Sequence, residues 1–153
     1  MIWIGPSPSE RPKVRLMQIV ALVAFVLAAV LALAFGARYV LTKTFMPYHA
    51  AVLGKSWPVL EPRLQTIILG MLKVAGGGLL GYGVSLLWLL LPLQRGEVWA
   101  AWAVLTVSLA VVGPILYVVV ALRRIEPSAK TPIVPTLVVL ALVLLATAAS
   151  LAR

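Results

Sequence analysis

Residues 16–37 read LMQIVALVAFVLAAVLALAFGA, a run whose one strongly polar member is Gln18 and which lies between Arg15 and Arg38. At 1.5 Å per residue these 22 residues make about 33 Å of helix, enough to cross a hydrocarbon core of about 30 Å. A signal peptide is the competing reading, because basic residues precede the run. Its length exceeds the roughly 7–15 apolar residues of a signal core, so a membrane span is the better reading.

Three more runs of this kind follow. Residues 66–91 form the second, introduced by Pro62, a residue suited to the first turn of a helix, and closed by Pro92 and Gln94-Arg95-Gly96-Glu97. Residues 98–122 form the third, free of charge inside and closed by Arg123 and Arg124. Residues 133–152 form the fourth, opened by Pro132 and Pro135, where a missing N–H costs little. Backbone in lipid closes its hydrogen bonds internally, so such runs predict helices, and no period-two alternation suggests barrel strands. The predicted fold is all-α: a single membrane domain over residues 1–153, an up-down-up-down four-helix bundle. Short connections make the last three spans antiparallel neighbours. Between the first two spans, Phe45, Tyr48, His49 and Trp57 stand among Pro47, Gly54 and Pro58. This mixture predicts an ordered segment at the interface, where Trp and Tyr are favoured.

Composition agrees with lipid as the main solvent. Of 153 residues, 63% are hydrophobic and 11% charged, against about half and a quarter in soluble domains. The formal charge is +9, but the cations flank apolar runs rather than alternating with stacking aromatics. Lipid headgroups are therefore the expected partners and nucleic acid is not. The cations divide almost evenly between the two ends of the bundle, so orientation stays open.

The inventory excludes several chemistries. There is no cysteine, hence no disulfide, thiolate metal site or thiol nucleophile. There is no Asp, and the four Glu lie outside the spans, so the buried acid typical of proton-coupled transporters is missing. His49 is the one histidine. It cannot supply two haem ligands or a His-rich metal site, and no metal or cofactor is expected. As a structural residue it fits the interface; a proton acceptor or a quinone partner is the alternative. With Tyr48 and Trp57 it marks the interfacial segment as the first place to look for a ligand.

Within the second span, Gly70, Gly77, Gly81 and Ser85 recur on one helix face, with Gly77 and Gly81 forming G-x-x-x-G. Small residues let membrane helices approach closely, so this stripe predicts packing inside the chain, with a second copy or a ligand as alternatives. Lys73, the one charge inside a span, shares that face. It is expected to face protein, snorkelling or pairing, with an anionic headgroup or substrate as the functional alternative. Gly113-Pro114 interrupts the third span near its middle and predicts a kink, either for packing or beside a cavity.

Residues 45–80, FMPYHAAVLGKSWPVLEPRLQTIILGMLKVAGGGLL, together with the four-span layout, resemble a group of small uncharacterised bacterial membrane proteins, and in outline DoxX-like proteins. The resemblance implies a bacterial inner membrane and assigns no activity. The leading functional expectation is a non-enzymatic accessory subunit or lipid-binding module, alone, as a homo-oligomer or in a larger complex. A transporter using Lys73 and the kinked third span, and a quinone-linked oxidoreductase component using His49, are the alternatives.

Overall fold

The computed structural model describes residues 11–152. Its elements are α1 (Arg11–Leu41), a short α2 (Pro47–Leu53), a 3-10 turn (Trp57–Val59), α3 (Pro62–Gln94), α4 (Val98–Ile125) and α5 (Ile133–Leu151). Among the described residues four helices, α1, α3, α4 and α5, are long and apolar enough to span a bilayer. The protein is a multi-pass, all-α membrane protein. Its ends of helix exceed the apolar runs because flanking Lys and Arg keep their heads in water while the backbone continues to hydrogen-bond.

The four spans close a ring, α1 on α3, α3 on α4, α4 on α5 and α5 on α1. The α1–α3 seam is the most extensive, whereas α3 and α4 touch least, although a three-residue turn joins them. The connections 42–61 and 126–132 share one end of the bundle; that end is called here the connector end.

The α1–α3 seam follows from two patterns. Along α1, Ala24, Ala28, Ala32 and Gly36 recur every fourth residue, and all are buried. Along α3, leucines recur every seventh residue at 72, 79, 86 and 93, interleaved with Gly76 and Gly83, the repeat of a coiled seam. Gly36 and Gly76 meet backbone to backbone: a Cβ on Gly76 would lie 2.8 Å from the Gly36 carbonyl, and one on Gly36 would lie 2.9 Å from the Gly76 carbonyl. A Cβ on Gly83 would meet the Leu33 side chain at 2.7 Å.

This corrects the expected glycine face. Gly70, Gly77 and Gly81 lie on the outward side of α3, where an added Cβ finds nothing within 4 Å, and the Ser85 hydroxyl donates to its own helix at the Gly81 carbonyl, 2.8 Å away. One residue along a helix is a turn of 100°, so the seam uses Gly76 and not Gly77.

Pro92 does not end α3 either. The helix runs through it to Gln94 and stops at Gly96, whose φ of 77° only glycine adopts readily. There Gly96 N donates to Leu93 O at 3.0 Å and Glu97 N to Pro92 O at 3.1 Å, the paired bonds of a Schellman stop. Likewise α4 passes through Gly113 and Pro114 as one helix, with both residues on its outward side.

Candidate functional site

The connector end is built on a small second core, Phe45, Leu60 and Leu72, against which Trp57 packs. Trp57 meets Phe45 edge to face at 5.1 Å. α2 begins where His49 Nδ1 accepts the Met46 N–H at 3.2 Å, which places the ring proton on Nε2. Burial holds this imidazole below its ordinary value. His49 lies against Tyr48, ring centroids 4.1 Å apart. The Tyr48 hydroxyl shares a 2.7 Å hydrogen bond with that of Tyr39 on α1. Burial, and then the Tyr39 hydroxyl, push the Tyr48 phenol up, while Arg38 nearby pulls it down.

Lys73 reaches the end of α1, where its Nζ donates to the Val40 carbonyl at 3.0 Å. That carbonyl belongs to the last turn of α1, which has no intrahelical donor left for it, and a cation there also meets the negative end of the helix dipole. The lysine is exposed on the outer side of α3, and its pairing is with the neighbouring helix, as a cap on the end of α1. Charge and carbonyl satisfy one another at the interface.

A cavity of about 260 Å³ lies between the four spans in the half of the bundle nearer the connectors. α1 contributes Leu31, Ala32, Phe35 and Tyr39, and α3 contributes Ala75, Gly78, Leu79 and Tyr82. Val111, Val112 and Ile115 of α4, the inner side of the Pro114 turn, and Pro135, Thr136 and Val139 of α5 complete the wall with Pro132. Three hydroxyls line it, and each has a partner. Tyr39 is bonded to Tyr48, Tyr82 donates to the buried Ser108 Oγ at 2.8 Å, and Thr136 donates to Pro132 O at 2.7 Å. The space therefore offers a guest mainly carbon, and it selects carbon, because a polar guest would lose its water without replacement.

A second space, about 300 Å³, adjoins the first at Phe35, Tyr39 and Pro132. Its remaining lining is polar at one side: Arg38, Tyr48 and Lys130, with Met46 and Pro47. An apolar space between the spans thus lies beside a basic one at the connector end; they are called here the chamber and the mouth.

Of the residues singled out from sequence, Tyr48 lines the mouth, and His49 supports Tyr48 and α2. Trp57 and Lys73 line neither space. Gly113 and Pro114 bring their turn to the chamber without lining it. The sequence reading missed Tyr39, Arg38, Lys130 and Tyr82. Arg38 and Tyr39 directly follow the first span, a place where charge is expected at any span end, so nothing in the sequence alone sets them apart.

The chain matches no family model, no curated protein and no solved structure.

Proposed function

We propose that the protein is a small membrane module that holds the apolar chain of a lipid or similar amphiphile between its spans. The observation that carries this is the apolar lining of the space between the spans, whose Tyr82 and Thr136 hydroxyls donate within the protein, beside a second space that shares Phe35, Tyr39 and Pro132 with it and is lined by Arg38 and Lys130. At roughly 30 Å³ for each water-sized unit, 260 Å³ accommodates about eight or nine such units, room for a segment of an apolar chain. The resemblance of residues 45–80 favours a bacterial inner membrane as its setting.

Transport through Lys73 has less support, because that lysine is engaged with the Val40 carbonyl outside the chamber. Quinone chemistry at His49 has less too, since its Nδ1 holds the start of α2.

The full chain, purified in mild detergent and weighed intact, tests the reading. Wild type is expected to carry lipid-mass adducts that survive further detergent washing. Gly78→Leu and Val139→Phe, which add carbon at the chamber wall, are expected to lose them while keeping helical content. A wild-type chain without adducts, or adducts undiminished in both folded variants, would falsify the proposal.

A further inference from the structure

Resting on that reading, we infer that the chamber's occupant is an anionic amphiphile taken from the bilayer, its chain among the spans and its phosphate or carboxylate head between Arg38 and Lys130. Both cations line the mouth, and the mouth's lining contains no acid. The two glutamates at the connector end are engaged elsewhere. Glu61 lies 4.0 Å from Arg63, the one ion pair among the described residues, and the Glu126 carboxylate accepts from Ser128 N at 3.1 Å and Ser128 Oγ at 2.6 Å. Arg38 and Lys130 thus face the mouth with uncompensated charge.

The tyrosine pair adds a donor. Two hydroxyls share one hydrogen bond, 2.7 Å long, so one O–H of the pair remains for a further acceptor. Tyr48 belongs to the mouth and Tyr39 to both spaces, which sets this donor where chain meets head. Arg38 stands in the last turn of α1 and Lys130 in the connection just before α5, the level at which an interfacial anion sits when its chain enters the spans. A zwitterionic head brings an ammonium against two cations, whereas a head of net negative charge does not. Guanidinium, ammonium and phenol together are suited to a phosphate or carboxylate oxygen set.

The experiment is competition for the full chain in detergent between phosphatidylglycerol and phosphatidylcholine of matched chains, read as bound adducts by intact mass. Each basic residue near an anionic head contributes enough that wild type is expected to prefer phosphatidylglycerol by roughly tenfold or more. Arg38→Gln with Lys130→Gln is expected to bring the two lipids close to parity. Arg38→Lys with Lys130→Arg is expected to keep the preference. So is Arg123→Gln with Arg124→Gln, which removes the same charge from the same end but away from the mouth. Millimolar inorganic phosphate is expected to leave the adduct in place.

Equal binding of both lipids by wild type overturns the inference while leaving the chamber reading intact. Binding of neither lipid overturns both. An equal loss of preference in the Arg123/Arg124 variant assigns selectivity to diffuse charge and overturns the site, and displacement by inorganic phosphate makes it a site for free anions instead.

Discussion

Replacing Gly76 with alanine puts a methyl group where α1 already is. The new Cβ would sit 2.8 Å from the Gly36 carbonyl oxygen, 2.9 Å from Tyr39 Cβ and 2.9 Å from Val40 Cγ2. The nearest atom is backbone, and it cannot swing aside as the end of a side chain does. Relief requires the two helices to separate along a seam that runs from Gly36 to the Leu33–Gly83 contact. Overpacking of this kind costs about 1–3 kcal/mol. Against this stands the helix propensity gained by any glycine-to-alanine change, up to about 1 kcal/mol. Gly77→Ala supplies the control. It gains the same propensity on the same helix, and its Cβ meets nothing within 4 Å. The difference between the two variants removes propensity and leaves the steric term, about 1–3 kcal/mol in favour of Gly77→Ala. Reversible unfolding in mixed detergent micelles measures it. Equal stability of the two variants, or a less stable Gly77→Ala, would show that the outward stripe of Gly70, Gly77 and Gly81 is the true packing face and that α3 is rotated from the position described.

Two further outcomes are expected. Tyr82→Phe and Ser108→Ala each break the buried Tyr82–Ser108 bond, with losses of about 0.6 kcal/mol and at most about 1.7, and the double variant should lose less than the sum; strict additivity in a double-mutant cycle would mean the hydroxyls do not interact. On acidification, the unfolded chain takes a proton at His49 before the folded chain does, because burial lowers the folded value below 6.5. The stability this residue lends to the start of α2 is therefore complete above about pH 6.5 and declines as pH falls from there toward the folded value. Amide exchange at Met46, whose N–H is bonded to His49 Nδ1, should accelerate relative to its intrinsic rate between pH 7.5 and 5.5, and His49→Ala should abolish that dependence; constant protection of Met46 in wild type would refute the assigned bond.

The spans were legible because their signal is simple: a run of apolar residues long enough to cross hydrocarbon, bracketed by Arg15 and Arg38 or by Glu97 and Arg123. The ordered interfacial segment was legible from its aromatics, and it contains α2 and the Trp57 turn. Which face of each span turns inward was much less so. In water, polar residues mark the outside of a helix, but lipid accepts apolar residues on every side, and Trp88, Val74 and Met71 all lie outward on α3. The remaining signal is spacing, and α3 carries two competing sets. Gly70, Gly77, Gly81 and Ser85 form one. The other, Leu72, Leu79, Leu86 and Leu93 with Gly76 and Gly83, offers both bulk and close approach, and it has a matching small-residue row at Ala24, Ala28, Ala32 and Gly36 on α1. Only the pairing of rows on two helices distinguishes the seam from the decoy.

The chamber was not legible for a related reason: it is made by what the helices fail to fill. α3 is drawn onto α1 by glycines at 36, 76 and 83, while the Tyr82–Ser108 bond ties it to α4 near mid-span and the turn at Gly96 joins the two helices at the far end. Toward the connectors no such tie is present between α3 and α4 among the described residues. Ala75 and Gly78, too small to fill the space, line it together with Val111 and Ile115 of α4. An α3 helix pinned on one neighbour along its length, and on the other only from mid-span to the Gly96 turn, leaves a wedge toward the connectors, and Pro132 and Pro135 at the start of α5 line that wedge without filling it. The tight α1–α3 seam and the empty space are thus two consequences of one distribution of small residues.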